Sequence, residues 1–195
     1  MFGSKYVPYL DDPDQGPSPA TSHPAFVEAA PDWFLAEDDP DAPFGNDDGH
    51  DTLRTLEAHF SVGGSDGHVP GCVANLIVEW DLVPEQIWES SAAEIVAWLE
   101  AEDAHIRYLH GEINLGIAAA CGQFKISGWI HPALRFWAER DLMLLEHVVM
   151  PWERETSGEG TADPSRRIAA TRAVIAAAPS PPRKYQLRQY AGLGG

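Results

Sequence analysis

The sequence predicts a mainly α protein, a small helical bundle, and three observations carry that expectation. Ser91 and Glu94 fit the S-x-x-E capping box that opens a helix, and an apolar stripe at helical spacing follows: Ile95, Trp98, Leu99, Ile106, Leu109, Ile113 and Ile117. A second stripe, Leu134, Trp137, Leu144, Leu145 and Val148, follows Pro132. Proline suits a first helical turn because its missing N–H has no intrahelical partner there anyway. The apolar run CVANLIVEWDL fits either helix or strand, but no neighbouring segment supplies a partner strand.

Residues 1 to 50 differ from the rest. YVPYLDDPDQGPSPATSHPAF and AEDDPDAPFGNDDGH are rich in Pro, Asp and Gly. Such composition buries too little apolar surface to offset the entropy of ordering, so an extended acidic arm is expected. Within it, Phe26, Val27, Trp33, Phe34 and Leu35 lie among carboxylates. Large aromatics in an acidic segment suit a docking peptide, which makes Phe26, Trp33, Phe34 and Leu35 candidate partner-binding residues. The same residues also suit a local cluster that packs back on its own domain.

The helical domain is expected over residues 51 to 178. DTLRTLEAHF reads as a short helix with Leu53, Leu56 and Phe60 on one stripe and Asp51 as its cap. SVGGSDGHVPG reads as a loop. CVANLIVEWDL reads as a helix, and Pro84 opens a short helix through Trp88. From Ser91 one continuous helix is expected to about Ala120, roughly 45 Å long, with Gly122 as its stop. Pro132 opens the next helix, and Pro151 ends or kinks it. ETSGEGTADP is a linker, and Asp163 and Pro164 start a last helix with Ile168 and Ile175 on one face. Residues 179 to 195 begin with a proline run and read as an extended tail.

Charge narrows the classes of partner. The formal charge is −17 and the pI about 4.6, a surface that repels nucleic-acid phosphates and anionic lipid. Direct nucleic-acid binding is therefore not expected; an acidic inhibitor that mimics nucleic acid stays open. The charge is unevenly placed. From Arg166 onward the charged residues are Arg166, Arg167, Arg172, Arg183, Lys184 and Arg188, with no acid among them. An acidic arm and a basic tail invite pairing, within one molecule or between neighbours. Arg183, Lys184, Tyr185 and Arg188 are the tail's candidate partner contacts. No apolar run approaches the ~20 residues of a membrane helix. The N-terminus lacks a secretory pattern, and the two cysteines, Cys72 and Cys121, form no C-x-x-C pair, so a reducing cytoplasm is the expected compartment.

One segment raises the question of a metal. In EAEDAHIRYLHGE, Glu102 and His105 form a Glu-x-x-His pair, the half-motif of a carboxylate-bridged site in a helical bundle. Stepping the stripe onward from Leu99 gives Glu102, then His105 or Ile106, Leu109, and Glu112 or Ile113. A carboxylate on an apolar face is costly unless paired; a metal, the His105 imidazole or an arginine from another helix would each pair it. A second Glu-x-x-His does not occur: AERDLMLLEHVV offers Asp141, Glu146 and His147, and adjacent Glu and His point to different sides of a helix. No metal and no cofactor is therefore expected, and a ferritin-like protein using Glu102 and His105 is the alternative. G-x-S-x-G, P-loop and G-x-G-x-x-G motifs do not occur, and Cys121, in AAACG, reads as a packed small residue. A non-enzymatic role in protein–protein contacts is expected.

WDLVPEQIWESSAAEIVAWLEAED, residues 80 to 103, resembles the small tail assembly chaperones of tailed bacteriophages. The shared features are Pro84, Glu85 and Trp88, then Ser90, Ser91, Glu94 and Ile95. The proline usual before the family's helix is replaced here by Ala92 or Ala93. The resemblance implies a non-catalytic helical protein that binds other proteins, or copies of itself, during assembly in the host cytoplasm. A minor virion or connector component has the same features.

Overall fold

The computed structural model describes residues 7–12, 15–157 and 165–182. It is a mainly α bundle, and among the described residues no helix is long and apolar enough to cross a membrane. The helices are α1 (Pro24–Ala29), α2 (Asp47–Ser61), α3 (Val69–Trp80), α4 (Ala92–Leu99), α5 (His105–Ser127), α6 (Pro132–Leu144), α7 (Met150–Ser157) and α8 (Ser165–Ala177). Helix α5 is the axis. Every residue from Gly111 to Ser127 is buried, with α2 and α6 as its main neighbours and α1, α3, α4 and α8 around them. Apolar and small residues fall on every face of that stretch, so neighbours enclose it on all sides.

Several starts follow from local chemistry. The Ser91–Glu94 capping box forms, with the Glu94 carboxylate accepting from the Ser91 N–H at 2.8 Å. Pro132 opens α6 behind His131, whose ring Nδ1 accepts from the Ala133 N–H at 3.2 Å. Pro84 precedes a 3-10 turn, Glu85–Glu89. Helix α2 starts earlier than expected: its cap is Asn46, which accepts from the Gly49 N–H at 2.9 Å, and Asp51 lies inside the helix.

The long helix expected from Ser91 to Ala120 is two helices. The chain turns over Glu100–Ala104, where the stripe lapses into three carboxylates within four residues. The turn is closed by the His105 side chain, whose Nδ1–H donates to the Trp98 carbonyl at 2.6 Å. The second helix then passes through Gly122, where Leu56 and Leu53 crowd the backbone, and stops at Gly128. Gly128 has φ +80, the left-handed conformation of a helix C-cap that favours glycine. Pro151 kinks the chain rather than ending it. Its ring crowds the carbonyl four residues back and it has no N–H to offer. The chain accommodates this with one wider π turn, Leu145–Val149, ahead of α7.

The extended arm expected over residues 1 to 50 is a correction. Residues 7–12 and 15–50 fold against the bundle, so the unit begins well before residue 51. The last carbonyls of a helix lack intrahelical donors, and this segment supplies them to α5. The Tyr9 N–H donates to Ile126 O at 3.1 Å and the His23 N–H to Lys125 O at 2.7 Å. Phe26, Phe34, Ala42 and Phe44 are buried, and Phe26 stands edge-on to Phe124 at 5.5 Å between ring centroids. Average composition undercounts such a segment, because a few well-spaced aromatics carry most of its burial.

Candidate interaction cleft

The candidate residues of the sequence fall in different places. Phe26 and Phe34 have no exposed surface, so they are core residues and present nothing to a partner. Leu35 is half-buried against that core. Trp33 is half-buried, with the Arg166 guanidinium 4.5 Å above its ring. One contact between the acidic segment and the basic C-terminal region is thus made within the molecule. Arg183, Lys184, Tyr185 and Arg188 lie outside the described residues. Glu102 and His105 are neighbours, 3.8 Å apart, but Glu102 is 70% exposed in the turn rather than on an apolar face. His105 stacks on Trp98 at 4.1 Å between centroids. No group of three or more His, Cys, Asp or Glu comes together as a metal site among the described residues.

The largest concentration of unusual chemistry lies between α3 and α6. Ala74, Ile77 and Val78 share one face of α3, Asp81 follows at its C-cap, and Trp137 and Arg140 face them from α6. The turn carrying Val83, Glu85 and Trp88 closes one end, and Glu112 of α5 lies at the bottom. Together they bound a cleft of about 410 Å³, open to solvent. Around it, Val78 is 77%, Phe136 66% and Met143 58% exposed. Phe136, Arg140 and Met143, at i, i+4 and i+7, form one stripe of α6, so the two exposed apolar side chains share a helix face with Arg140 of the cleft lining.

The charges are arranged in two tiers. Below, Asp141 is fully buried and takes two bonds from Arg140, Nε at 2.8 Å and Nη2 at 2.7 Å, both on Oδ1. Its Oδ2 has no partner and lies where a Cβ on Gly116 would be, so only glycine fits that turn of α5. Burial pushes Asp141 up to about 7, against the pull of Arg140. Above, the Arg140 guanidinium covers the Trp88 ring at 3.7 Å from its centroid, a cation–π contact strengthened by partial desolvation. Glu112 is 4% exposed. Burial pushes it up to about 7; the Arg140 charge and hydrogen bonding from the Val83 backbone and the Trp88 indole oppose the rise, and Asp81 adds to it. Among the described residues Glu112 has no ion-pair partner within 4.0 Å.

A second buried charge serves the fold. Lys125 is fully buried and donates to Asp11 Oδ1 at 2.7 Å and to the Thr21 carbonyl at 3.2 Å, with Glu57 3.7 Å away. Cys121 is a free, buried thiol that burial pushes up to about 12, which removes it as a nucleophile. The sequence carries one local signal of the cleft: Glu112 is a step of the apolar stripe, a carboxylate at a core position. Arg140 and Trp88 carry no local signal, because their contact joins segments far apart in sequence.

No protein-family model, no curated protein and no solved structure matches this chain.

Proposed function

We propose that the protein is a non-enzymatic interaction protein acting in assembly, and that its partner docks on the α3–α6 cleft. The observation that carries this reading is the exposed apolar set Val78, Phe136 and Met143 flanking an aromatic cleft. Exposed apolar side chains beside a pocket with polar groups are the anatomy of a docking site: aromatic walls for an anchor, and a polar floor to orient it. None of the lining residues is a Ser, Cys, His or Lys, so the carboxylates have no hydroxyl, thiol, imidazole or amine beside them. The resemblance of residues 80 to 103 to phage tail assembly chaperones supports the same reading, since Asp81, Val83, Glu85 and Trp88 of that segment line the cleft. An assembly chaperone or minor virion component of a tailed phage is the specific role proposed.

Site-specific photocrosslinking tests the docking surface in cells that produce the protein. A benzophenone side chain at Phe136 is expected to give one discrete protein adduct, lost when Val78→Lys is introduced. The same group at Val62, 85% exposed and outside the cleft lining, is expected to give none. Equal labelling at both positions, or none at Phe136, would remove the proposed docking surface.

A further inference from the structure

Resting on that reading, we infer that the anchor taken up by the cleft is a cationic side chain, a lysine or arginine on the partner's docking segment, with its charged end at Glu112. Three carboxylates, Asp81, Glu85 and Glu112, face the space against one guanidinium. That guanidinium is committed, because two of its nitrogens bond Asp141 and its plane covers Trp88. Glu112 is therefore a nearly buried carboxylate opening on a cavity with only neutral donors directly on it. Burying such a group without a counter-charge is unfavourable, and an incoming ammonium or guanidinium relieves it. The walls suit the rest of a long basic side chain: Ile77, Val78, Val83 and Trp137 would cover its methylene stem while the charge reaches the floor. A neutral apolar anchor would leave Glu112 desolvated and unpaired, and an anionic one would meet three like charges.

The affinity should depend on pH with a defined sign. The groups facing Glu112 are Asp81 from the end of α3, Glu85 from the adjoining turn, and Arg140 with Asp141 beneath it from α6. Glu112 titrates near 7, so a cation that needs its ionised form binds about tenfold more tightly at pH 8 than at pH 6.

The experiment uses the full chain and n-pentylammonium chloride as a lysine side-chain mimic, with 1-pentanol as the neutral counterpart. Indole N–H resonances of Trp88 and Trp137, assigned from Trp→Phe variants, report occupancy. The ammonium is expected to shift both indoles and to bind about tenfold more tightly than the alcohol. Glu112→Gln should remove most of that preference and flatten the pH dependence, while Glu89→Gln, exposed and outside the lining, should leave both intact. A second variant is independent of the floor. Val78→Lys, at an exposed rim position, places a competing ammonium beside the cleft and should weaken the probe about fivefold or more, whereas Val78→Met should not. Equal binding of ammonium and alcohol would overturn the inference. So would indoles that do not move while the Phe136 crosslink still forms, a result that leaves the docking reading standing without its charge.

Discussion

Glu112 and Asp141 show how two carboxylates of unremarkable sequence context come to titrate near neutrality. Each is forced up by burial, and the single guanidinium of Arg140 only partly offsets it. Their unfolded values are near 4.5 and 3.8. The folded state therefore holds protons that the unfolded state has released, and their contribution to stability is lost as pH rises from about 4 through 7. Glu57 shifts in the same direction, again chiefly by burial. His23 and His131 work in the opposite sense: burial lowers both, so their contribution is lost as pH falls below the ordinary value of 6.5. Glu112→Gln isolates one carboxylate from this sum. Its melting temperature relative to the unsubstituted protein should be higher at pH 8 than at pH 5, because the amide cannot ionise. Melting curves at the two pH values check it; a difference independent of pH would mean that Glu112 does not titrate in this window.

Among the elements, α5 sets the geometry of the rest. Its small residues let neighbours approach closely, and Gly116 is the tightest point. A side chain there would overlap the Asp141 carboxylate, which is fully buried and held by Arg140, so it cannot swing aside without breaking that pair. Alanine is the better helix former by about 1 kcal/mol, yet Gly116→Ala should be net destabilising by about 1–3 kcal/mol, the usual cost of overpacking a dense core. Chemical denaturation would measure it. A stabilised variant would show that α5 and α6 can separate at no cost. The same variant should disturb Arg140 and, through it, the Trp88 resonance, linking helix packing to the shape of the cleft.

Taken whole, the molecule is closed by its N-terminal segment. The tie is the Lys125 ammonium, enclosed by Asp11, Glu57 and the Thr21 carbonyl. Lys125→Met keeps the volume but leaves the buried Asp11 carboxylate without its cation, while Glu57 keeps Arg54 at 2.7 Å. Loss of one partner of a buried ion pair typically costs about 3–5 kcal/mol, and a loss of that size is expected in denaturant unfolding. Hydrogen exchange should localise the effect. The Tyr9 and His23 amides, bonded to the last carbonyls of α5, should be protected in the native protein and exchange early in the variant. Near-native stability with both amides protected would show that Phe26, Phe34 and Phe44 hold the segment without the charge.

The helical class, the Ser91 cap, the opening of α6 at Pro132 and most of the core stripe were legible from the chain alone. Each depends on residues three or four apart, where helix geometry makes sequence distance and spatial distance the same thing. Leu109, Ile113, Ile117, Leu134 and Leu145 are buried as that spacing requires. The break between α4 and α5, the docking of residues 7–12 and 15–50, and the cleft were decided by tertiary structure. The break rests on a turn that the His105 side chain closes by reaching back to the Trp98 carbonyl. The N-terminal segment is held by Lys125, more than a hundred residues along the chain. Glu112, Arg140 and Trp88 meet only because α5 carries one of them into the interior and α6 brings the second over the third. Burial then changes what a carboxylate is: the same Glu is an ordinary solvated anion in the sequence and a near-neutral acid in the fold, because only packing decides how much water it keeps.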